Sequence, residues 1–238
     1  MPNEPESKLD HFKIWLVKEK EFSRDVTLEG QFDEEVKRRK HLEKVVWIAN
    51  PVKKNSLAPR REKAHLVGYY LTPPEKPGPQ RWVILSNQFH KEQDKVKWTL
   101  GDPELLLVPA SKVEKGDPPP PPTELDHFEC YVVKNATSID EAFKLEDQFD
   151  KKLKKIEEIK KIEPAFFCVP VSKNGGKRVN PHVHLALYDI TPRVDINDAP
   201  ISVITRDQFG KLELKVLESL MLAVPSQKLD WGPRKKEK

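Results

Sequence analysis

The sequence contains few cysteines and no long apolar run. Only Cys130 and Cys168 occur among its 238 residues, so it has neither a disulfide framework nor the clustered ligand spacing of a zinc site. Taken alone, this favours a reducing compartment or a chain that lacks its export signal. No apolar stretch reaches the roughly 18 residues that a membrane span requires, and the N-terminus has no apolar signal core. We therefore expect a soluble, cytoplasmic protein on expression, with no membrane segment.

The sequence also lacks the short motifs that carry catalytic chemistry. It has no glycine-rich phosphate loop, no nucleophile elbow and no His-Glu-x-x-His motif, and Gly175-Gly176 is typical of a turn. Catalytic groups can still converge from distant segments, but no pattern here indicates them. We predict a protein that is not an enzyme and that requires no cofactor.

The charge is nearly balanced, with 42 basic and 38 acidic residues and a net charge of +4. Basic residues concentrate in 37–40, 151–161 and the tail 234–238. The runs that resemble helices also contain glutamate and lack interleaved aromatic residues, which favours solvated faces over a nucleic-acid footprint. Nucleic-acid binding is kept only as a third hypothesis, with an affinity that would fall steeply with salt.

The chain repeats itself as two halves. Leu9-Asp10-His11-Phe12 returns as Leu125-Asp126-His127-Phe128, and further matches follow in the same order at offsets of 116 to 120 residues, as the numbering shows. Differences of a few loop residues are what a duplicated unit accumulates, and such repetition decides the architecture before any single motif is interpreted.

Each half repeats again, so that three landmarks recur in four quarters. The first is a histidine followed four residues later by an aromatic residue, the second is Gln-Phe, and the third is Pro-x-x-Lys. The histidine landmarks are His11 to Trp15, His65 to Tyr69, His127 to Tyr131 and His184 to Tyr188. The Gln-Phe landmarks begin at Gln31, Gln88, Gln148 and Gln208, and the Pro-x-x-Lys landmarks are Pro51 to Lys54, Pro109 to Lys112, Pro170 to Lys173 and Pro225 to Lys228.

The duplication predicts two tandem domains. Five consecutive prolines, 118–122, precede the second Leu-Asp-His-Phe, and such a run favours a semi-rigid extended spacer. We expect a first β repeat domain at 8–114, a proline-rich linker at 115–123, a second β repeat domain at 124–230 and a basic tail at 231–238.

The fold class follows from hydrophobic periodicity. The segment 11–17 alternates with a two-residue period, which predicts a strand with Phe12, Ile14 and Leu16 buried and His11, Lys13 and Trp15 on the other face. Further strands are expected at 65–71, 82–87, 96–100, 105–108, 127–133, 166–169, 184–190, 201–205, 212–217 and 221–224.

Two segments have a different period. Apolar residues spaced by three at 150–162, and the matching segment 33–45, predict one short amphipathic helix in each half. The expected fold is mainly β: two tandem pseudo-symmetric antiparallel β-barrel or β-sandwich domains of six to eight strands, each with one short helix.

The four histidines allow two interpretations. His182-x-His184 places two imidazoles on one strand face, and we name His182 and His184 as the candidate metal ligands, although zinc requires three or four convergent groups. The favoured alternative is structural: each histidine bonds to a neighbouring loop and covers the sheet. The Gln-Phe and Pro-x-x-Lys landmarks likewise favour strand ends and exits rather than ligand contacts.

These landmarks resemble a repeat domain of uncharacterised function found in bacterial secreted or surface-associated proteins. Its units read approximately His-Phe-x-Cys-Tyr, then Asp-Gln-Phe, then Leu-Cys-x-Pro-x-x-Lys. The matches here include His127-Phe128-Glu129-Cys130-Tyr131, Asp147-Gln148-Phe149 and Cys168-Val169-Pro170. The resemblance covers most of both halves and implies a secreted or cell-surface location.

This chain departs from the family pattern at most cysteine positions. The positions that lack cysteine are occupied by Ile14, Ala49, Gly68, Leu107, Leu187 and Ala223. We expect a fold held by packing alone or nearly so. Whether Cys130 and Cys168 bond to each other is left open, and pairing is the less favoured alternative because their family partners would be among the missing residues. Either a natural cytoplasmic or thermophilic relative or a sequence redesigned on this backbone would account for the departure.

The leading functional hypothesis is a non-enzymatic structural or adhesive module, monomeric, with an unidentified protein or surface partner. The alternative is a small-ligand or metal-binding protein that uses the repeated strand histidines. Because ligand sites favour domain interfaces, the groove between the two halves is the first place to search.

Overall fold

The computed structural model describes residues 9–33, 37–75, 78–135 and 137–233. They form twelve strands and one α-helix, α1 (Gln148–Leu153), with 3-10 turns at Gln31–Asp33 and Glu92–Asp94. The strands are β1 (Phe12–Glu29), β2 (Arg38–Pro51), β3 (Lys53–Lys54), β4 (His65–Leu71), β5 (Arg81–Ser86), β6 (Lys97–Val113), β7 (His127–Val133), β8 (Ile139–Glu146), β9 (Glu157–Lys173), β10 (Val183–Thr191), β11 (Ile201–Asp207) and β12 (Gly210–Pro233). The prediction of a mainly β protein is confirmed.

Eight of the strands close into a ring. In order these are β1, β2, β4, β6, β7, β9, β10 and β12, and β12 pairs again with β1. Every pairing is antiparallel, and each quarter contributes two neighbouring ring strands. The remaining strands, β3, β5, β8 and β11, extend the same sheet.

Two hydrophobic clusters occupy the two faces of this sheet. The smaller cluster includes Phe12, Ile14, Phe128 and Leu185, and it receives residues from all eight ring strands. Because those residues contact one another across a closed ring, the cluster lies inside it. The larger cluster contains Trp15 and the other landmark aromatic residues, so it covers the outer face. Ring strands are therefore buried on both sides, unlike the half-buried strand predicted for 11–17.

The two halves share one sheet. β6 of the first half pairs with β7 of the second, and β12 pairs with β1, while both clusters draw on both halves. Two tandem domains, and a barrel or sandwich in each, are not confirmed. The linker 115–123 also contacts the sheet, since the Pro119 carbonyl accepts a hydrogen bond from Ser111 and the Pro118 carbonyl accepts one from Arg206 at 3.4 Å.

One of the two expected helices is wrong and the other is shorter than predicted. From Arg38 onward the segment 33–45 belongs to β2; residues 34–36 of that prediction lie outside the described residues. In the second half only Gln148–Leu153 is helical, and β9 begins at Glu157. α1 starts there because the Asp147 carboxylate accepts hydrogen bonds from the N–H groups of Phe149 and Asp150.

Several predicted strands are parts of longer ones. The segments 96–100 and 105–108 fall largely in β6, and 212–217 and 221–224 belong to β12. β12 continues to Pro233, so 231–233 are strand rather than tail, and the tail residues 234–238 lie outside the described residues. Within the described ranges no helix combines the length and apolar character needed to cross a membrane.

The pairing of Cys130 with Cys168, which the sequence leaves open as the less favoured alternative, does occur. They face each other on β7 and β9 and form a disulfide. The other positions where the family pattern places cysteine are paired by the same register: Ile14 with Ala49, Gly68 with Leu107 and Leu187 with Ala223. Each quarter thus contains both members of one such pair.

Candidate functional site

The landmark residues of the four quarters meet in four equivalent clusters, which we call the repeat clusters. Each contains the aromatic residue of one quarter, the phenylalanine of Gln-Phe from the quarter two further along, and the lysine of Pro-x-x-Lys from the quarter between them. The four sets are Trp15, Phe149 and Lys112; Tyr69, Phe209 and Lys173; Tyr131, Phe32 and Lys228; and Tyr188, Phe89 and Lys54.

The geometry of the repeat clusters is similar in all four. The two rings are edge-on with centroids 5.2 to 5.5 Å apart, and the lysine Nζ lies 4.0 to 5.2 Å from the phenylalanine ring. Edge-to-face pairs and cation–π contacts each stabilise a fold by about 0.5–1.5 kcal/mol. Each quarter therefore packs against, and is stabilised by, the quarter opposite it in the ring.

The residue before Gln-Phe adds a polar contact in three clusters. Trp15 Nε1 donates to Asp147 at 2.7 Å, the Tyr69 hydroxyl donates to Asp207, and Asn87 Nδ2 donates to the Tyr188 hydroxyl at 2.9 Å. In the fourth cluster Gly30 occupies that position, and the Tyr131 hydroxyl instead donates to Glu129 at 2.8 Å. The polar end of each buried aromatic side chain is thus satisfied.

Each repeated histidine lies beside the repeated lysine of its own quarter. Burial lowers the pKa of His11 and of His127 to about 4, with Lys54 and Lys173 adding to the effect. Burial and Lys112 lower the pKa of His65 well below its ordinary value. Burial and Lys228 lower the pKa of His184 to about 3. The four imidazoles are therefore neutral at pH 7.

The two predicted metal ligands are placed differently. His184 is buried and stacks on Phe167 at 5.4 Å between ring centroids, with Nδ1 3.1 Å from the His182 carbonyl oxygen and Nε2 3.3 Å from Gln31 Oε1. The His182 side chain is exposed. In the part of the chain that the structure describes, no three histidine, cysteine or acidic side chains are grouped to hold a metal. The metal site stays a prediction.

A buried charge centre surrounds Lys13. Its Nζ lies 2.7 Å from an oxygen of Asp150 and 2.5 Å from one of Glu157, and all three side chains are at most 2% exposed. Burial opposes the charged form of Lys13, but Asp147, Asp150 and Glu157 together raise its pKa. Burial and then the charge of Asp147 raise the pKa of Asp150 to about 7. The shift of Lys13 and the smaller part of the Asp150 shift follow from three carboxylates sharing one ammonium group.

A second buried charge centre surrounds Glu129, and its central residue is an anion where that of the first centre is a cation. Arg38 Nη2 lies 2.6 Å from Glu129 Oε2, and the Glu129 side chain is fully buried while that of Arg38 is 24% exposed. Lys13 and Glu129 occupy the same place in their quarters, two residues after the histidine. Their partners also correspond, since Arg38 begins β2 and Glu157 begins β9.

A cleft of about 470 Å³, which we call the basic cleft, lies where the end of β1 meets the end of β9. It is lined by Glu29, Lys37, Ser172, Gly175, Gly176, Lys177, Arg178 and Pro181. Lys37, Lys177 and Arg178 form no ion pair with any described residue, and among the described residues of the lining Glu29 is the only carboxylate. Its residues come from both halves of the chain.

A smaller cleft of about 40 Å³ occupies the corresponding place in the first half of the repeat. In each cleft the glutamine of a Gln-Phe landmark donates a hydrogen bond to the loop that follows a Pro-x-x-Lys landmark. Gln31 Nε2 donates to the Pro181 carbonyl in the loop after Lys173, and Gln148 Nε2 donates to the Glu62 carbonyl in the loop after Lys54. The charged lining of the smaller cleft is Lys53, Lys151, Glu62, Glu146 and Asp147, and Lys53 lies 3.5 Å from Glu146.

Sequence reasoning missed both the charge centres and the basic cleft. Lys13 alternates correctly with its apolar neighbours, but the alternation alone placed it on a solvated face. The turn at Gly175-Gly176 is confirmed, with Gly175 at a φ of +79°, yet its proximity to Lys37, some 140 residues earlier in the chain by numbering, depends on ring closure. The available signal was the basic run 37–40 and the pair Lys177-Arg178.

The fold and its clusters define a closed ring built from four related units. Residues 65–225, more than half of the chain, match a family described as a repeat of unknown function (DUF7450). The chain belongs to that family, which confirms the resemblance to a repeat of uncharacterised function; a bacterial secreted origin is not confirmed. Comparisons with curated proteins and with solved structures found no match.

Proposed function

We propose that this chain is a non-enzymatic structural or adhesive module of an extracellular or bacterial surface assembly. The observation that carries the proposal is the set of four repeat clusters. The residues that recur in every quarter bind one another across the ring, so their recurrence is accounted for by the architecture. What differs between the quarters is the exposed surface, and binding specificity would lie there.

The disulfide supports an extracellular setting. Cys130 and Cys168 are both fully buried and paired, and such bonds persist mainly in oxidising compartments. The four closed clusters and the disulfide suit a domain that must keep its shape outside the cell, since a rigid scaffold is what presents a binding surface at fixed geometry.

The experiment is fractionation of cells that produce the protein, combined with thiol alkylation in denaturant at the moment of lysis, so that buried thiols are reached. We expect the chain in the surface or secreted fraction, with Cys130 and Cys168 protected from alkylation. Binding of the purified chain to envelopes from the same cells provides the second measurement. Recovery in the cytosol with alkylated cysteines, together with no retention on envelopes, would overturn the proposal.

A matched control is Cys130→Ala/Cys168→Ala in the same cells. If the disulfide only stabilises the fold, this variant is expected in the same fraction at lower abundance. Because this variant has no cysteine to oxidise or alkylate, its fraction reports the location of the protein independently of the state of the two thiols.

A further inference from the structure

We propose that the basic cleft binds a tetrahedral dianion, a phosphate or sulfate group carried on a larger molecule, through Lys37, Lys177 and Arg178. This rests on the proposed function, to which it adds the chemistry of the ligand. The cleft volume of about 470 Å³ falls within the range of small-molecule sites, and it exceeds what the anion alone would fill.

The charge of the lining is the first argument. Among the described lining residues, three cations stand against the single carboxylate of Glu29, an excess of two positive charges that matches a dianion. None of the three cations is neutralised by a described side chain. Arginine presents a planar fork of donors that suits phosphate and sulfate oxygens, and lysine adds a point charge.

A fourth cation lies near the cleft. Lys228 is half-buried and contacts neutral groups: it donates to Gln31 and lies 5.0 Å from the rings of Phe32 and Trp231. Gln31 in turn donates to the Pro181 carbonyl of the lining. Burial and then the charge of Arg178 lower the pKa of Lys228 to about 8, which places Lys228 within the electrostatic reach of the cleft.

The smaller cleft is the internal comparison. It has the same place in the repeat, but two cations face three carboxylates there, and Lys53 is paired with Glu146. The fold alone therefore produces neither the volume nor the charge of the basic cleft. Both are properties of the residues at this one position in the ring.

The test is calorimetric titration of the purified chain with sodium phosphate and with sodium sulfate at low ionic strength. We expect one saturable site, weakened at least about tenfold in Lys37→Ala/Arg178→Ala, since each lost charge-assisted bond accounts for about that factor. The control Lys53→Ala/Lys151→Ala changes the net charge equally, and its affinity should stay within about twofold. Circular dichroism melts verify that both variants fold.

A second variant tests the sign of the charge effect. Glu29→Gln removes the one carboxylate of the lining, so the affinity for both anions should rise by roughly threefold. Absence of saturable binding by the unaltered chain, equal weakening in the two double variants, or unchanged affinity in Glu29→Gln would each overturn the inference.

The source of the anion is distinguished by comparing glucose 6-phosphate, glucose 6-sulfate and the inorganic anions. Tighter binding of either sugar ester supports a ligand larger than the anion; equal affinity for ester and free anion contradicts that part of the inference. If no anion binds but the chain is still retained on envelopes, only this inference fails. If anions bind but the protein is cytosolic, the proposed function fails instead.

Discussion

The two buried charge centres occupy the same place in opposite halves and carry opposite signs. Lys13 is surrounded by carboxylates from the second half, whereas Glu129 is paired with Arg38 from the first half. In the other two quarters the same position holds Val67 and Ala186. The fold therefore needs no charge there, but a charge that is present requires a partner from the opposite half, because an unpaired buried ion is very costly.

The largest effect is expected when the Lys13 centre loses its cation. Lys13→Ala leaves Asp150 and Glu157 buried without their counter-charge, and breaking a buried ion pair costs about 3–5 kcal/mol. Urea unfolding should measure a loss of this size in the free energy of unfolding. A loss below about 1 kcal/mol would mean that the carboxylates are neutral and that Lys13 contributes little.

A smaller loss is expected at the Glu129 centre. Glu129→Gln should cost about 2 kcal/mol, because Arg38 is 24% exposed and can still be solvated. The triple variant Glu129→Val/Arg38→Met/Tyr131→Phe, which also removes the hydroxyl that Glu129 satisfies, should recover to within about 1 kcal/mol of the unaltered chain, since apolar replacement of a buried pair is often neutral. Failure of that recovery would show that the pair does more than neutralise itself.

The third prediction concerns pH and separates the two centres. The folded-state pKa of Asp150 is raised to about 7, so the folded state retains a proton that the unfolded state has lost, and the associated stability disappears as the pH rises through 7. From pH 6.5 to 8.5 the unaltered chain should lose about 1 kcal/mol more than Asp150→Asn. Below pH 6.5 the buried histidines make stability rise with pH, which is the opposite sense. Both proteins contain these histidines, so their contribution cancels when the two free energies of unfolding are subtracted.

The same measurement with Glu129→Gln is the control for that prediction. If the slope against pH changes equally in Asp150→Asn and Glu129→Gln, the effect belongs to the whole fold and not to the Lys13 centre. A slope that is unchanged in Asp150→Asn contradicts the assignment of the retained proton to Asp150.

The smallest effect is expected in the smaller cleft. Lys53 and Glu146 lie 3.5 Å apart with side chains 42% and 26% exposed, and such surface pairs stabilise proteins by about 0–1 kcal/mol. Lys53→Ala should change the free energy of unfolding by less than about 0.5 kcal/mol in the urea titration. A larger loss would mean that this pair stabilises the fold as the buried ion pairs do and that it is not a typical surface pair.

The local part of the fold could be predicted from the sequence. The order of landmarks revealed the four units, and alternation located β1, β4, β7 and β10 because the pattern lies within each strand. The period of three at 33–45 was misleading, since Leu42 and Val45 are both buried on one strand, where a β-bulge shifts the register of β2 against β4 between Leu42 and Lys44.

The long-range part could not be predicted, because it depends on which strands are neighbours. Cys130 and Cys168 pair through the register of β7 and β9, which no spacing within either strand specifies. The contact of Lys13 with Asp150, separated by 137 residues, likewise appears only when the ring closes. The candidate metal ligands were proposed from local spacing alone. Local spacing cannot show that the side chain of Gln31, from the other half of the chain, contacts His184.

Closure of the ring also has a consequence for the evolution of repeat number. In open solenoids each repeat contacts only its neighbours, so units can be gained or lost at modest cost. Here β12 returns to β1, and every unit inserts a phenylalanine into the unit opposite. A fifth unit would have no opposite partner and would separate strands that now pair, so duplication within the gene would yield a second ring rather than a larger one.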